Sequence, residues 1–243
     1  MKFTVQRLAL IGLAIATFIG LSYYYVNRVE SPRASAQCGT GSAPVCADAR
    51  ASMPSRDALA MLEKIRVAGR APKTGYTREQ FGPAWTDDVS VPGGHNKCDT
   101  RNDILQRDLT EVTFKDNSHC VVASGTLNDP YTGKIIKFVR GPKTSDDVQI
   151  DHIIPLSDAW QKGAQQLSPQ RRQDLANDPL NLQAVDGPTN QSKSDSDAAT
   201  WLPPSKSYWC AYLTRQIQVK AAYELWVTQA EKDAMTRELS ACP

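Results

Sequence analysis

The commonest zinc-binding pattern is missing from this sequence. No Cys-x-x-Cys pair occurs among its 243 residues, which argues against a structural zinc site. Of the three histidines, His95 and His119 lie far along the chain from His152, so a three-His zinc centre is not supported. No internal repeat, helix-turn-helix or zinc-finger pattern is present, which excludes repeat proteins and the common groove-reading DNA-binding classes.

An excess of charge of one sign is also missing. The chain carries 28 Lys and Arg against 26 Asp and Glu, a formal net charge of +2. Residues 1–36 hold four of the basic residues and one Glu, so the remainder has 24 basic and 25 acidic residues and a net charge of −1. Any contact with a polyanion must therefore depend on a local basic surface rather than on the field of the whole protein.

Only one long apolar run is found, at the N-terminus. Lys2 and Arg7 precede an uncharged, mostly apolar stretch at residues 8–26, which fits an export signal or a membrane anchor. Ala34-Ser35-Ala36 has the small-x-small form that signal peptidases accept, whereas the Arg residues just beyond the run favour an uncleaved anchor. Both interpretations predict a secreted or extracytoplasmic protein.

The remaining sequence predicts a tether followed by one domain. Residues 37–54 are rich in Ser, Ala and Pro with little apolar periodicity, as expected of a linker. Residues 55–243 are enough for a single sizeable core. We therefore expect a signal peptide or anchor at 1–36, a linker at 37–54 and one domain at 55–243.

All six cysteines follow the apolar run. An even number of cysteines in an exported chain predicts disulfides, although six cysteines allow fifteen pairings. Proximity along the chain favours three pairs: Cys38 with Cys46, Cys98 with Cys120, and Cys210 with Cys242.

Local patterns predict a mixture of helices and strands. Residues 71–97 contain Gly, Pro and Asp clusters with isolated aromatics, so we expect a long irregular segment there. Apolar and β-branched runs predict strands at 148–154 and 180–185, and a hairpin of 120–127 with 134–139 around the turn 129–133. Capping signals predict helices that begin at Ser55, at the capping box Thr100–Asp103, at Ser168-Pro169 and at Gly187-Pro188. Two more helices are predicted near the C-terminus, one at 207–227 and one from the capping box Thr228-x-x-Glu231.

Chemistry-bearing residues cluster between 148 and 197. Asp151 and His152 stand at the end of a predicted strand, where both side chains can approach one site. An Asp oxygen can hold a hard cation while the neighbouring imidazole removes a proton from water, a pairing suited to phosphodiester hydrolysis. Because few histidines are available, the ligands must be mainly oxygens, which favours Mg²⁺, or Mn²⁺ in substitution, over zinc.

Three further residues are candidates for the same site. Asn190 and Lys193 fall three residues apart on the first turns of a predicted helix and so share a face. Asn190 can offer a carbonyl oxygen to the cation, and Lys193 near the helix N-terminus can hold a phosphate. Arg101 is a second candidate phosphate ligand because it also lies at a helix start, with an ion pair to Asp103 or Asp108 as the alternative.

A strand ending in Asp-His, a second strand and a helix carrying Asn together resemble the HNH (ββα-metal) endonuclease family. The likeness is close to the branch represented by the C-terminal domain of GmrSD-type restriction enzymes and to small secreted HNH proteins. It is carried by the Asp-His-Ile-x-Pro opening, the spacing from Asn181 to Asn190 and the Asn-x-x-Lys ending. The HNH likeness covers about 148–204, and the likeness to the secreted proteins extends from about Tyr76 to the C-terminus.

This resemblance implies a role for each matching position. Asp151 would be a metal ligand, His152 the general base and Asn190 the second metal ligand, in place of the family's more usual His. Asn181 would fasten the loop between the two strands. The implied fold class is α+β: a ββα-metal core with an additional β-hairpin and flanking helices, stabilised by disulfides.

The expected function is therefore an exported, metal-dependent endonuclease of low sequence specificity that acts on nucleic acid, with DNA favoured over RNA and the preference left open. One Mg²⁺-type ion is the expected cofactor, residues 8–26 are the candidate anchor, and no protein partner is expected. Two alternatives remain open. They are a non-catalytic, envelope-associated polyanion-binding protein on the same scaffold and a phosphodiesterase acting on another substrate.

Overall fold

Five strands in two separate antiparallel sheets organise the part of the chain that the structure describes. The computed structural model describes residues 53–243, so the predicted signal or anchor, the apolar run at 8–26, most of the linker and the pair Cys38–Cys46 lie outside the described residues. The described part is an α+β structure. Its helices are α1 (Ser55–Leu62), α2 (Thr100–Asp108), α3 (Leu156–Gln161), α4 (Pro169–Asn177), α5 (Gly187–Lys193), α6 (Trp209–Ala222) and α7 (Gln229–Leu239).

The first sheet has three strands in the order β1 (Leu109–Phe114), β2 (Val122–Asn128) and β3 (Ile135–Val139). The predicted hairpin is confirmed, since β2 and β3 pair in antiparallel register from Ser124 with Val139 to Asn128 with Ile135. Asp129 closes the turn because its carboxylate accepts hydrogen bonds from the backbone of Tyr131 and Thr132, at 3.3 and 2.9 Å. This turn points Tyr131 into the core, where it is fully buried.

The second sheet pairs β4 (Val148–His152) with β5 (Leu182–Asp186). The register runs from Val148 opposite Asp186 to His152 opposite Leu182. A long connection at 153–181 carries α3 and α4, and α5 follows β5 directly. The unit is therefore strand, strand, helix in sequence, with Asp151 and His152 at the end of its first strand.

Helix starts are set by local side chains, and two of the predicted caps are confirmed. The Ser168 side chain accepts from the backbone of Arg171 and opens α4, and Thr228 with Glu231 forms a complete capping box at α7. Two other predicted capping residues, Thr100 for α2 and Ser55 for α1, are wrong by one residue. Asp99 rather than Thr100 caps α2, and Pro54 precedes α1 without a side-chain cap, so Ser55 is the first helical residue.

Three apolar clusters hold these elements together. The first joins α1, α6 and α7 to Tyr131 and Ile153, the second lies under α3 and α4, and the third joins α2 to both sheets. Two of the three predicted disulfides are present, Cys98–Cys120 and Cys210–Cys242. No helix within 53–243 has the length and apolar character needed to cross a bilayer.

Candidate active site

The His152 imidazole is clamped at the end of β4 and is only 9% exposed. Its Nε2 lies 2.9 Å from the carbonyl oxygen of Ala176 in α4. The Trp85 ring stacks on it with a centroid separation of 6.0 Å and an interplanar angle of 14°. Burial lowers the pKa of His152 to about 4, against the opposing effects of the Ala176 carbonyl and the Asp151 carboxylate. The ring is therefore neutral at pH 7.

This hydrogen bond also fixes the tautomer. A carbonyl oxygen can only accept, so Nε2 must carry the proton in the bond to Ala176. In a neutral imidazole the lone pair then lies on Nδ1. His152 lines two adjoining cavities. Solvent and ligands can therefore reach the ring that carries the accepting nitrogen. A neutral ring with a free acceptor is the state that a general base requires.

Asp151 is buried beside it, with 6% of its surface exposed. The Tyr131 hydroxyl donates to Asp151 Oδ2 at 2.5 Å, and the Lys193 ammonium lies 2.6 Å from the same oxygen. No residue at 53–243 donates a hydrogen bond to its other oxygen, Oδ1. Since Asp151 also lines the larger polar cavity, two neighbours hold the carboxylate by one oxygen and leave the other for a ligand.

Lys193 lies at the end of α5 with its side chain completely buried. Besides Asp151, its ammonium donates to the backbone oxygen of His152 at 2.6 Å. Burial lowers the pKa of Lys193, and the Asp151 carboxylate opposes that shift. The sequence suggests a phosphate contact for Lys193, but the structure places its ammonium beneath the site, where it joins α5 to the end of β4.

Asn190 lies one turn earlier on α5 and is half-buried. Its Nδ2 donates to Gln149 Oε1 at 3.0 Å, which orients the side chain, and no described residue donates to its side-chain oxygen, Oδ1. Asn190 lines the same cavity as Asp151 and His152. The structure thus brings together the three residues that the sequence assigned to metal binding and base catalysis.

Asn181 is completely buried at the end of the long connection. Its Oδ1 accepts from the backbone of Ile154 at 2.8 Å, and its Nδ2 donates to the Leu175 carbonyl at 3.1 Å. Its backbone oxygen also accepts from Ile153 at 2.7 Å. These bonds join the two ends of the connection to each other and fix the residues that follow His152.

Arg101 is not brought to the cavities. Its guanidinium lies 3.3 Å from the backbone oxygen of Val148 and 3.4 Å from that of Ser145, at the start of β4, whereas His152 ends that strand. Burial lowers its pKa. Arg101 does not line either cavity at His152, so it is not placed to bind a phosphate in the cleft.

Residues that the sequence did not single out line the cleft or support it from beneath. Tyr131 comes from the turn of the first sheet, and Trp85 and Arg78 come from the irregular segment before α2. Lys73 pairs with Asp195 at 3.2 Å across the polar cavity. The sequence signals were the predicted turn at 129–133 for Tyr131 and the isolated aromatics of the irregular segment for Trp85. Both signals predict packing, but neither shows what these side chains contact.

The oxygen atoms of the cleft fit the expected cation. Asp151 Oδ1 and the side-chain oxygen Oδ1 of Asn190 are hard oxygen donors free of hydrogen bonds from the described residues, which suits Mg²⁺ or Mn²⁺. Within 53–243, the one group of three His, Cys or acidic side chains close enough to share an ion is Cys98, His119 and Cys120. Its two cysteines form a disulfide, so they are not available as thiolate ligands.

Fold and site together define an α+β domain with a neutral imidazole, a carboxylate and an amide oxygen in one cleft. The chain belongs to the family described as GmrSD restriction endonucleases, C-terminal domain, an HNH-type family that matches residues 99–238. It is 38% identical over 187 residues to a protein of Arthroderma benhamiae named "Uncharacterized secreted protein". That match covers 76% of this chain and 84% of the relative. No solved structure matches the chain significantly.

Proposed function

We propose that this protein is an exported endonuclease that hydrolyses nucleic-acid phosphodiester bonds with low sequence specificity and depends on one Mg²⁺-type ion. The observation that carries the proposal is the neutral His152 ring, whose Nε2–H is held by Ala176 and whose Nδ1 is left to accept a proton. Membership of a restriction-endonuclease family supports it. In this proposal β4, β5 and α5 form a ββα-metal core.

Each residue then has one task. His152 Nδ1 takes a proton from the water that attacks the phosphorus, and the Ala176 carbonyl keeps the ring in the required tautomer. Tyr131 and Lys193 hold Asp151 by one oxygen, and Gln149 orients Asn190. Asn181 fixes the backbone after His152. The products carry 5′-phosphate and 3′-hydroxyl ends.

Asp151 and Asn190 are the residues that would hold the cation. When bound there, a divalent ion would neutralise charge that develops on the phosphoryl and leaving-group oxygens. A cation would also favour the neutral form of the nearby imidazole, which is already neutral through burial.

Export is part of the same proposal. The relative is named as a secreted protein, and two disulfides in the described domain fit an oxidising compartment. Cleavage after Ala36 and anchoring through residues 8–26 remain predictions. Detection of the chain in culture medium, with its N-terminus sequenced, distinguishes a cleaved signal from a retained anchor.

Cleavage of supercoiled plasmid tests the activity. We expect the wild-type protein to cut it with Mg²⁺ and to stop in EDTA, and His152→Ala to lose roughly 10²–10⁴-fold in rate. His119→Ala, which removes an exposed histidine outside the cleft, is the matched control and should cut normally. A His152→Ala protein that cuts like wild type would remove His152 from the reaction.

Parallel assays on DNA, RNA and a small phosphodiester separate the proposal from its alternatives. We expect cleavage of DNA, with RNA cut more slowly. Turnover of the small diester alone would indicate a phosphodiesterase with another substrate. Tight binding of polyanions without hydrolysis of any of them would indicate a binding protein on the same scaffold.

A further inference from the structure

A second cavity adjoins the polar cleft and shares His152 with it. It encloses about 440 Å³, within the range of about 300–1,000 Å³ that small-molecule pockets occupy. Its walls are mostly apolar and come from residues 78–85 on one side and from α3 and α4 on the other. They include Phe81, Pro83, Ala84, Trp85, Leu156 and Ala176. A flat, apolar group that enters this cavity would lie beside the catalytic imidazole.

The segment at 78–85 is fixed in place over this cavity. The Arg172 side chain of α4 donates to the backbone oxygen of Gln80 at 2.7 Å, and the backbone of Thr100 donates to that of Trp85 at 3.1 Å. Gly82 adopts φ +78°, and an added Cβ there would meet the Gln173 side chain at 2.4 Å. The wall is therefore built by anchored backbone rather than by a loose loop.

The backbone of this wall is strained at Trp85. Its φ is 59°, in the left-handed region that non-glycine residues rarely adopt and that costs about 1–3 kcal/mol. That conformation accompanies the stacking of its ring on His152. Strained residues of this kind concentrate at functional sites, where the surrounding structure compensates them.

Arg78 lies where the two cavities meet, since it lines both of them. Its side chain is exposed, and no carboxylate of residues 53–243 lies within ion-pair distance of its guanidinium. Arg70 provides the contrast, because it pairs with Asp158 and Asp197 at 2.9 and 2.8 Å. An unpaired guanidinium between a polar cleft and an apolar cavity matches the junction of phosphate and base in a nucleotide.

We propose that the apolar cavity binds one unpaired nucleobase of the substrate while Arg78 binds the adjacent phosphate, so that the enzyme prefers single-stranded nucleic acid. This inference rests on the proposed function and names its substrate class. A base in a duplex is stacked on both faces and must leave the stack to enter a concave site, at a cost of a few kcal/mol. A single strand offers its bases without most of that cost.

Two substitutions separate base binding from phosphate binding. Ala84 is exposed and lines the apolar cavity, so Ala84→Leu narrows the cavity without changing charge or touching the core. Its matched control is Ala60→Leu, at an exposed position of α1. Arg78→Ala removes the phosphate contact, and Arg56→Ala removes the same charge from a separate groove beside Cys242.

The test measures binding by the full chain in EDTA, so that it does not depend on cleavage. Fluorescence anisotropy compares a labelled single strand with an abasic strand of the same length, which keeps every phosphate but has no bases. We expect the wild-type protein to bind the normal strand about tenfold more tightly. Ala84→Leu should remove most of that difference, and Arg78→Ala should weaken both strands alike.

Equal affinity for normal and abasic strands would overturn the base site, as would an Ala84→Leu protein indistinguishable from Ala60→Leu. If Arg78→Ala bound both strands as tightly as Arg56→Ala does, the proposed phosphate contact would be overturned. Cleavage rates in Mg²⁺ on single-stranded and duplex DNA of one sequence give the second readout, in which we expect the single strand to be cut faster. A protein that discriminates the strands in binding but cuts nothing would contradict the nuclease proposal and leave the base site standing.

Discussion

Two buried tyrosine–aspartate pairs have the same chemistry and different surroundings. Tyr131 donates to Asp151 at 2.5 Å and Tyr223 donates to Asp178 at 2.7 Å, and all four residues are at most 7% exposed. In both pairs, burial and the carboxylate raise the pKa of the tyrosine. The two pairs differ in the contacts that the second oxygen of each carboxylate makes.

Asp178 has both oxygens engaged by the chain. Oδ2 accepts from Tyr223, and Oδ1 accepts from the backbone of Leu180 at 2.8 Å. The pair fastens the turn between α4 and β5 and does not line the cavities at His152. Asp151 takes both of its partners on one oxygen and presents the other to a cleft. A fully satisfied carboxylate stabilises the fold, whereas a half-satisfied one at a cleft is available to a ligand.

The largest expected contrast comes from neutralising each carboxylate. Asp151→Asn leaves the Lys193 ammonium buried without its carboxylate, so we expect a loss of about 3–5 kcal/mol in the free energy of unfolding. It also removes the proposed metal ligand. The rate of cleavage should therefore fall by more than the roughly 10–100-fold expected when a residue that only hydrogen-bonds to a metal ligand is removed. Chemical denaturation and plasmid cleavage measure the two effects.

Asp178→Asn is the matched control, with an expected loss of about 1–2 kcal/mol and cleavage within a few-fold of wild type. If Asp178→Asn reduced cleavage as strongly as Asp151→Asn, the two carboxylates would not differ in the way described.

The second contrast is a pH dependence of the unfolding free energy, which we expect from His152 in the cleft. Burial holds the pKa of His152 at about 4, so between pH 6.5 and 4 the unfolded chain binds a proton that the folded chain does not. The unfolding free energy should therefore decrease as the pH falls through this range, by about 3 kcal/mol for this group. Urea denaturation at several pH values measures the slope.

His152→Gln isolates that contribution from those of the carboxylates, because glutamine has no proton to gain and can still donate to Ala176. We expect the variant to lose stability less steeply between pH 6.5 and 4. Parallel slopes for the two proteins would show that His152 titrates normally in the folded state.

The smallest contrast comes from deleting each tyrosine hydroxyl. Tyr131→Phe and Tyr223→Phe each remove one hydrogen bond to a buried carboxylate, so each should cost about 1–3 kcal/mol in unfolding free energy. Only Tyr131→Phe should affect cleavage, by about tenfold, because it loosens the residue that would hold the cation. Equal cleavage by both variants would show that Tyr131 does not position Asp151 for the reaction.

The elements that could be predicted from sequence are those specified by neighbouring residues. The turn at 129–133, the Ser168 cap and the Thr228–Glu231 capping box each depend on side chains within a few positions of the backbone they bind. The placement of Asp151, His152 and Asn190 in one cleft is not a local signal of this kind, because Asn190 lies far along the chain from the other two residues. It was implied by the resemblance of the strand, strand, helix pattern to the HNH family.

Long-range contacts could not be predicted in this way. Lys193 reaches Asp151 across 42 positions and Tyr131 reaches it across 20, and neither residue has a local pattern that reveals a buried partner. Helical spacing placed Lys193 on the face of Asn190 but could not show that the end of β4 covers it. Trp85 and Arg78 lie in a segment without periodicity, whose position is set by contacts with α4.

The tautomer of His152 is the most direct test of the account. Long-range ¹H–¹⁵N correlation spectra report which ring nitrogen carries the proton, and with three histidines in the chain the spectrum of His152→Gln assigns the signal. We predict a neutral ring protonated on Nε2 from pH 7 down to about pH 5, with an unprotonated Nδ1. A ring protonated on Nδ1, or one that becomes charged near pH 6.5, would contradict the proposed role of His152 as the base that activates water.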